Sequence, residues 1–219
     1  MIHLLARILF VLNIITHPVF LPVFLMWWYF YSNNLHYPMS YAVFISAKLK
    51  YELVSLYVSL LTVMPILILL LARILRLISD IALSTIKERR YFFLFMGIYY
   101  WMIFYTLKDI YFHDFIRPSV LLVGSMSVSS FVLSLFNFSQ FKISLHAAGY
   151  GVLAGFFAGC GILFKDVYIH EILYSVLVSG MVMIIRLLSG AHTSLELLVG
   201  WTSGWFSSIF VFWATYQYS

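Results

Sequence analysis

Charge is what this sequence is shortest of. Only 10% of its residues are Asp, Glu, Lys or Arg, against about a quarter in soluble domains. With 63% hydrophobic residues and a mean hydropathy of +0.99, that shortage excludes the soluble globular classes. Cysteine is nearly absent as well. The single Cys160 cannot close an internal disulfide, and its apolar neighbours make it a small core residue, so redox chemistry is not expected. There is no basic stripe: 13 Lys and Arg against 8 Asp and Glu are scattered singly between apolar runs, which argues against nucleic acid and directs the +5 charge to membrane surfaces and anionic head groups. Internal repeats and low-complexity linkers are missing too. At roughly 20 residues per spanning helix, the length holds six or seven spans and no separate soluble domain, so residues 1–219 are expected to form one membrane-embedded domain. Arg7 ahead of Ile8 to Ile15 has the start of a secretory signal. No small-residue cleavage site follows, and the apolar run continues past His17-Pro18, so the segment is expected to stay in the mature chain.

What is present is a series of apolar runs at about 8–31, 53–77, 91–107, 119–137, 144–164, 171–188 and 194–216. They lack the period-2 alternation of barrel strands, and backbone groups in lipid must otherwise be satisfied within helices, so the fold class is an all-α polytopic bundle of six to seven transmembrane helices. His17-Pro18 and Pro22 disturb the first run, which leaves two readings: one span over 8–31, or an interfacial segment 1–16 followed by a span over 17–31. Ala147, Gly151, Gly155 and Gly159 recur every fourth position, as do Gly200 and Gly204; such stripes let helices approach closely and read as packing seams. Aromatic clusters such as 27–31 and 99–101 read as interface belts and lipid-facing bulk. Alternating passage puts 78–90, 138–143 and 189–193 on one face of the membrane and 32–52, 108–118 and 165–170 on the other.

Ionisable groups within spans cost roughly 2.5–3.5 kcal/mol or more each, so those at span ends are the candidates for chemistry. The sharpest cluster runs from Arg186 to Glu196. His192 and Glu196 are four apart and share a helical face; a carboxylate holding one imidazole nitrogen leaves the other as base or nucleophile, and Arg186 adds a fork suited to phosphate oxygens. The bland alternative is a polar helix cap with an interfacial His and Glu. A second cluster, Lys142-Ile143-Ser144-Leu145-His146, offers a hydroxyl and helix-start amides for an anion and an imidazole to protonate a leaving oxygen. Alone it reads equally as an N-cap with an interfacial lysine. The third, Asp80 through Lys87-Glu88-Arg89-Arg90, reads alone as a head-group-facing loop. All three fall on the same face.

Together these residues resemble the membrane-bound type 2 phosphatidic acid phosphatase superfamily. Its third motif, Ser-Arg-x5-His-x3-Asp, is matched in spacing by Arg186-x5-His192-x3-Glu196, with Glu for Asp and Ile185 for Ser. Its second, Pro-Ser-Gly-His, resembles Ile143-Ser144-Leu145-His146. Its first, Lys-x6-Arg-Pro, aligns on Arg90-Tyr91 and puts Leu83 where the family has Lys; Lys142 or Lys87 supplies a substitute charge, similar to a divergent bacterial branch that writes Lys-x-Ser-x-His. The resemblance covers about residues 80–205. It implies a lipid phosphate as substrate and no metal or other cofactor, with His192 as the nucleophile that becomes a phosphohistidine, Glu196 orienting it and His146 protonating the leaving oxygen. Arg90, Arg186, Ser144 and Lys142 would hold the phosphate. The competing reading, kept open by the missing Lys, is a weak or inactive member serving as a membrane scaffold or complex subunit.

Lys108 through Arg117-Pro118 is a decoy, since its spacing is Lys-x8-Arg-Pro and it belongs to the opposite face; head-group contact is expected there. His17, His36 and His170 have no partner at useful spacing and are expected to be structural or interfacial. Di-iron histidine boxes are missing, and Val123-Gly124-Ser125-Met126 and Ser179-Gly180 make unconvincing elbows for a rhomboid-like serine protease. Outside the candidate site, the first face carries Arg7, Arg76, Lys87 and Arg89, and the second Lys48, Lys50, Lys108, Arg117 and Lys165. By the positive-inside rule the second face is cytoplasmic. The site would then look outward, toward the periplasm if the membrane is a bacterial inner membrane.

Overall fold

A computed structural model describes residues 2–31, 45–111, 117–165 and 168–217. Among these there is no strand, and nine α-helices follow one another: α1 (Ile2–Ile15), α2 (Leu21–Tyr31), α3 (Ala47–Val58), α4 (Met64–Ile74), α5 (Ile86–Tyr111), α6 (Arg117–Phe138), α7 (Leu145–Phe164), α8 (Ile169–Leu188) and α9 (Ser194–Gln217). Six stretches are long and apolar enough to cross a membrane: Arg7–Tyr31, Ala47–Ile74, Arg117–Phe138, Leu145–Phe164, Ile169–Leu188 and Ser194–Thr215. The protein is an integral membrane protein with an all-α polytopic bundle. The seventh expected run, 91–107, lies within α5; its tyrosines and tryptophan dilute its hydropathy, but the 26-residue helix packs along α6.

Proline sets the breaks in the first two spans. His17, preceding Pro18, is extended (φ −66°, ψ 129°), which ends α1 and starts a short 3-10 turn, Pro18–Phe20, before α2. A π turn, Ser59–Val63, joins α3 to α4 just ahead of Pro65, whose missing N–H and ring disturb the regular ladder. Helix also reaches further than the apolar runs do: α3 begins at Ala47 behind the Ser46 cap, and α5 continues through Tyr111, so Lys108–Tyr111 is helical and not a connection.

The centre of the bundle is α7, packed along α9. The small-residue stripes are the cause: a Cβ on Gly151 would run into the Trp201 carbonyl, and one on Gly204 into the Ala148 carbonyl, so the two backbones lie in contact as the seam reading expects. Beyond α9 lie α6 and then α5, while α8 covers the other side of α7. Serine hydroxyls tie these layers across helices: Ser127 Oγ donates to Gly97 O (2.9 Å), Ser134 Oγ to Arg90 O (2.9 Å) and Ser208 Oγ to Val152 O (3.2 Å). The exposed sides carry aliphatic and aromatic side chains, such as Leu173, Leu177 and Ile184 on α8 and Phe206 and Phe210 on α9. The aromatic clusters divide. Trp27 and Trp101 are exposed as belt residues are, whereas Tyr29, Phe30 and Tyr100 are buried in the core. Cys160 is fully buried, as its apolar neighbours suggest.

Candidate functional site

The connections at one end of the bundle, 75–85, 139–144 and 189–193, are stitched together by backbone atoms. Ser144 N donates to Glu196 O (3.3 Å), and Arg89 bridges the other two, Nε donating to Leu83 O (2.8 Å) and Nη1 to Ile143 O (3.0 Å). The three sequence clusters therefore sit side by side.

His192 lies in the turn between α8 and α9 and is 8% exposed. Its Nδ1 is 3.0 Å from Glu196 Oε2. A carboxylate accepts only, so Nδ1 carries the hydrogen and Nε2 holds the lone pair. The same Oε2 accepts from Thr193 N (3.0 Å), while Thr193 Oγ1 accepts from Glu196 N (3.3 Å). That reciprocal pair is a capping box. The cap reading and the dyad reading are thus both met by one carboxylate, and the start of α9 fixes the imidazole. Burial holds His192 below the ordinary imidazole pKa, helped by the charges of Arg89 and Arg186 and opposed by Glu196. The ring is neutral at pH 7.

A cavity of about 490 Å³ opens beside it. Arg89, His146, Arg186, His192, His17 and Asn13 line one end, and the remainder is mostly apolar, with Met96, Leu122, Met126, Leu133 and Val152 among its walls beside Ser129 and Ser130. Arg186 Nη1 donates to Asn13 Oδ1 (2.8 Å), and its Nε is buried with no acceptor among the described residues. His146 Nε2 stands 3.3 Å from Asn13 O, a carbonyl that can only accept, so Nε2 is the donor and Nδ1 the titrating nitrogen. The His17 ring meets the His146 ring edge-on at 5.0 Å. Burial, and next the nearby Arg186 charge, lower the pKa of Arg89. This end of the cavity therefore holds two guanidinium groups and three imidazoles with one carboxylate behind them.

The structure brings His192, His146 and Arg186 onto the cavity wall, with Glu196 behind His192. It does not bring Arg90, Ser144 or Lys142 there. Arg90 donates to Asn137 O (3.2 Å) and lies over the Phe138 ring at 4.5 Å. Successive helical residues point about 100° apart, so Arg89, not Arg90, continues the buried stripe of Phe93, Met96 and Tyr100 into the cavity. Ser144 is fully buried and its Oγ caps α7, accepting from Ala147 N (3.4 Å). Lys142 is half-buried off the wall. His17 departs from its expected isolation because the elbow carries it to His146. Arg117 is buried and not at a head-group surface: its Nη2 donates to Thr215 O (3.2 Å) at the far end of α9. His170 is exposed; His36 and residues 112–116 of the decoy lie outside the described residues.

Sequence reasoning missed Arg89, Asn13 and His17. The phase of α5 could have found Arg89, had the helix not been apolar on every side. Among the described residues, no three His, Cys, Asp or Glu side chains are grouped to hold a metal ion. No protein-family model, curated protein or solved structure matches the chain.

Proposed function

We propose that this protein is an integral-membrane lipid phosphatase, a divergent member of the type 2 phosphatidic acid phosphatase superfamily, hydrolysing a phosphomonoester or pyrophosphate of a lipid through a phosphohistidine. The observation that carries the reading is the His192–Glu196 pair, with its unprotonated Nε2 beside a cavity that is cationic at one end and mostly apolar along the rest. Arg186 keeps the phosphate-donor role that the motif gives it, and Arg89 takes the place of Arg90, Ser144 and Lys142. With the head group against the arginines, Nε2 attacks phosphorus and the P–O bond to the lipid breaks. The leaving oxygen takes a proton through His146 Nδ1, which first receives it from a monoanionic phosphate head group while the other ring nitrogen is held by the Asn13 carbonyl. Water then attacks the phosphohistidine, returns a proton to His146 and releases phosphate. Arginines already held by Leu83 O, Ile143 O and Asn13 Oδ1 meet the charge on the equatorial oxygens with little reorganisation.

The face that carries the site is read as the outer one, periplasmic in a bacterial inner membrane, because the family resemblance implies it. The basic residues do not decide the matter, since Lys48, Lys50, Lys108 and Lys165 on the opposite face are matched by Arg7, Arg76, Lys87, Arg90 and Lys142 on this one. An impermeant thiol reagent should then reach a Lys87→Cys variant from outside intact cells and fail to reach Lys165→Cys; the reverse pattern would invert the orientation.

The function test is phosphate release by purified protein from phosphatidate, phosphatidylglycerophosphate, polyprenyl pyrophosphate and lipid A phosphate. It is coupled to brief exposure to labelled substrate. Wild type should release phosphate and retain acid-labile label, and His192→Ala should do neither. A folded wild type that does neither with any of these lipids would leave the scaffold reading standing.

A further inference from the structure

The resemblance to a known family begins near residue 80, yet two of the polar contacts in the cavity come from α1. The elbow explains how. In a continuing helix the carbonyl of Asn13 would accept from the amide of residue 17. Because His17 precedes a proline and is extended, its N–H turns to Ile14 O (3.1 Å), and Pro18 has no N–H to offer. The Asn13 carbonyl is thereby left for His146 Nε2 at 3.3 Å, across 133 residues of sequence. The Asn13 side chain makes a separate contact, Oδ1 accepting from Arg186 Nη1 at 2.8 Å. Arginine only donates, so the amide oxygen must be the atom facing it.

We infer that Asn13 is a positioning residue of the phosphate site: its side-chain oxygen aims Arg186 at the head group, and its main-chain oxygen fixes the tautomer of His146 that delivers the proton. The inference rests on the lipid phosphatase reading and adds α1 to the working site. A neutral acceptor is the right chemistry for the first task. It orients the guanidinium through one nitrogen and leaves the full positive charge for the substrate, which a carboxylate in the same place would cancel. The carbonyl suits the second, since it accepts from Nε2–H whether or not Nδ1 is protonated, so His146 can gain and lose the working proton without turning over.

The two contacts separate experimentally because one belongs to the side chain and one to the backbone. Asn13→Ala should raise KM about tenfold, the scale of losing a hydrogen bond to a charged group, with a smaller change in kcat. Asn13→Asp should raise KM further, toward a hundredfold, although it keeps an acceptor for Arg186 and should melt no lower than wild type in detergent. A merely structural asparagine predicts the opposite order, with Asp rescuing what Ala loses. Pro18→Ala, which lets the helix continue and returns the Asn13 carbonyl to the amide of His17, should lower kcat with natural lipids. The loss should shrink with a phosphate ester whose leaving group is acidic and needs no proton. If wild type is active and loses activity in Arg186→Ala while both Asn13 variants match wild type, the inference is overturned and the phosphatase reading stands. If wild type hydrolyses none of the lipids tested, both fall together.

Discussion

Arg186 and Arg117 stand at opposite ends of the bundle, each at the end of an apolar helix, one half-buried and one buried, yet only Arg186 faces the cavity. Arg117 bonds a carbonyl in the last turn of α9, where the helix dipole is negative and a cation is welcome. Arg186 lies in the last turn of α8, itself a favourable place for a cation, but it gathers with Arg89 beside the starts of α7 and α9 on the wall of the cavity. At the Arg117 end the cation answers the terminus of a neighbouring helix. The other end gathers arginines around a cavity, where the proposed anionic head group would balance them. An arginine at the end of a span is thus no sign of function by itself; the group it faces decides.

The sharpest test of that contrast pairs the two residues. Arg186→Ala should reduce kcat/KM by about 10²–10³, the scale of losing a preorganised donor to transition-state charge, while its thermal midpoint in phosphate-free detergent stays near that of wild type, because relief of the repulsion with Arg89 offsets the lost bond to Asn13 Oδ1. Arg117→Ala should leave kcat/KM within about twofold yet lower the midpoint by several degrees, because it strips a buried carbonyl of its partner. Equal activity losses from both substitutions, or a stability loss confined to Arg186→Ala, would dissolve the distinction between the two ends.

The same contrast shows what could be read without coordinates. The α7–α9 seam was legible because glycine every fourth residue has one physical use in lipid, and the Gly151 and Gly204 contacts bear this out. The pairing of His192 with Glu196 was legible because both residues lie in one stretch at helical spacing. Arg89 was not, since adjacent arginines on a helix without a polar face give no phase, and motif spacing pointed to its neighbour. Asn13 and His17 were beyond reach for another reason: their partners are 173 and 129 positions away, and a lone Asn or His beside a proline carries no trace of the residue it meets.

A smaller effect tests the electrostatics within the active end. His192 sits below its ordinary pKa because burial and two arginines outweigh Glu196, which pulls the other way. The nucleophile must be unprotonated, so the acid limb of kcat/KM for the wild type should lie below about pH 6.5, the unperturbed imidazole value. Glu196→Gln removes the influence that raises the pKa, so the limb should move to still lower pH while the plateau falls roughly tenfold to a hundredfold from lost orientation. A limb that moves upward, or a plateau that holds at the wild-type level, would mean that Glu196 serves α9 as a cap and does nothing for His192.

The smallest expected effect on activity falls at Ser144, where motif resemblance and geometry disagree. The resemblance makes its hydroxyl a phosphate ligand; in the fold that hydroxyl is fully buried, off the cavity wall, and caps the start of α7. A lost N-cap costs about 0.5–2 kcal/mol of stability, and the loss should appear in melting rather than in turnover. Ser144→Ala should therefore lower the thermal midpoint by a few degrees and change kcat/KM less than about threefold. Substitution by another capping residue, Ser144→Thr, adds only a methyl and should recover part of the stability if the packed site admits it; Ser144→Gly, which removes the hydroxyl without adding bulk, should lie near Ala in activity. Should Ser144→Ala instead lose activity on the scale of Arg186→Ala with its midpoint unchanged, the hydroxyl must reach the phosphate in the working state. The cavity end would then be built from α7 as well as from Arg89 and Arg186.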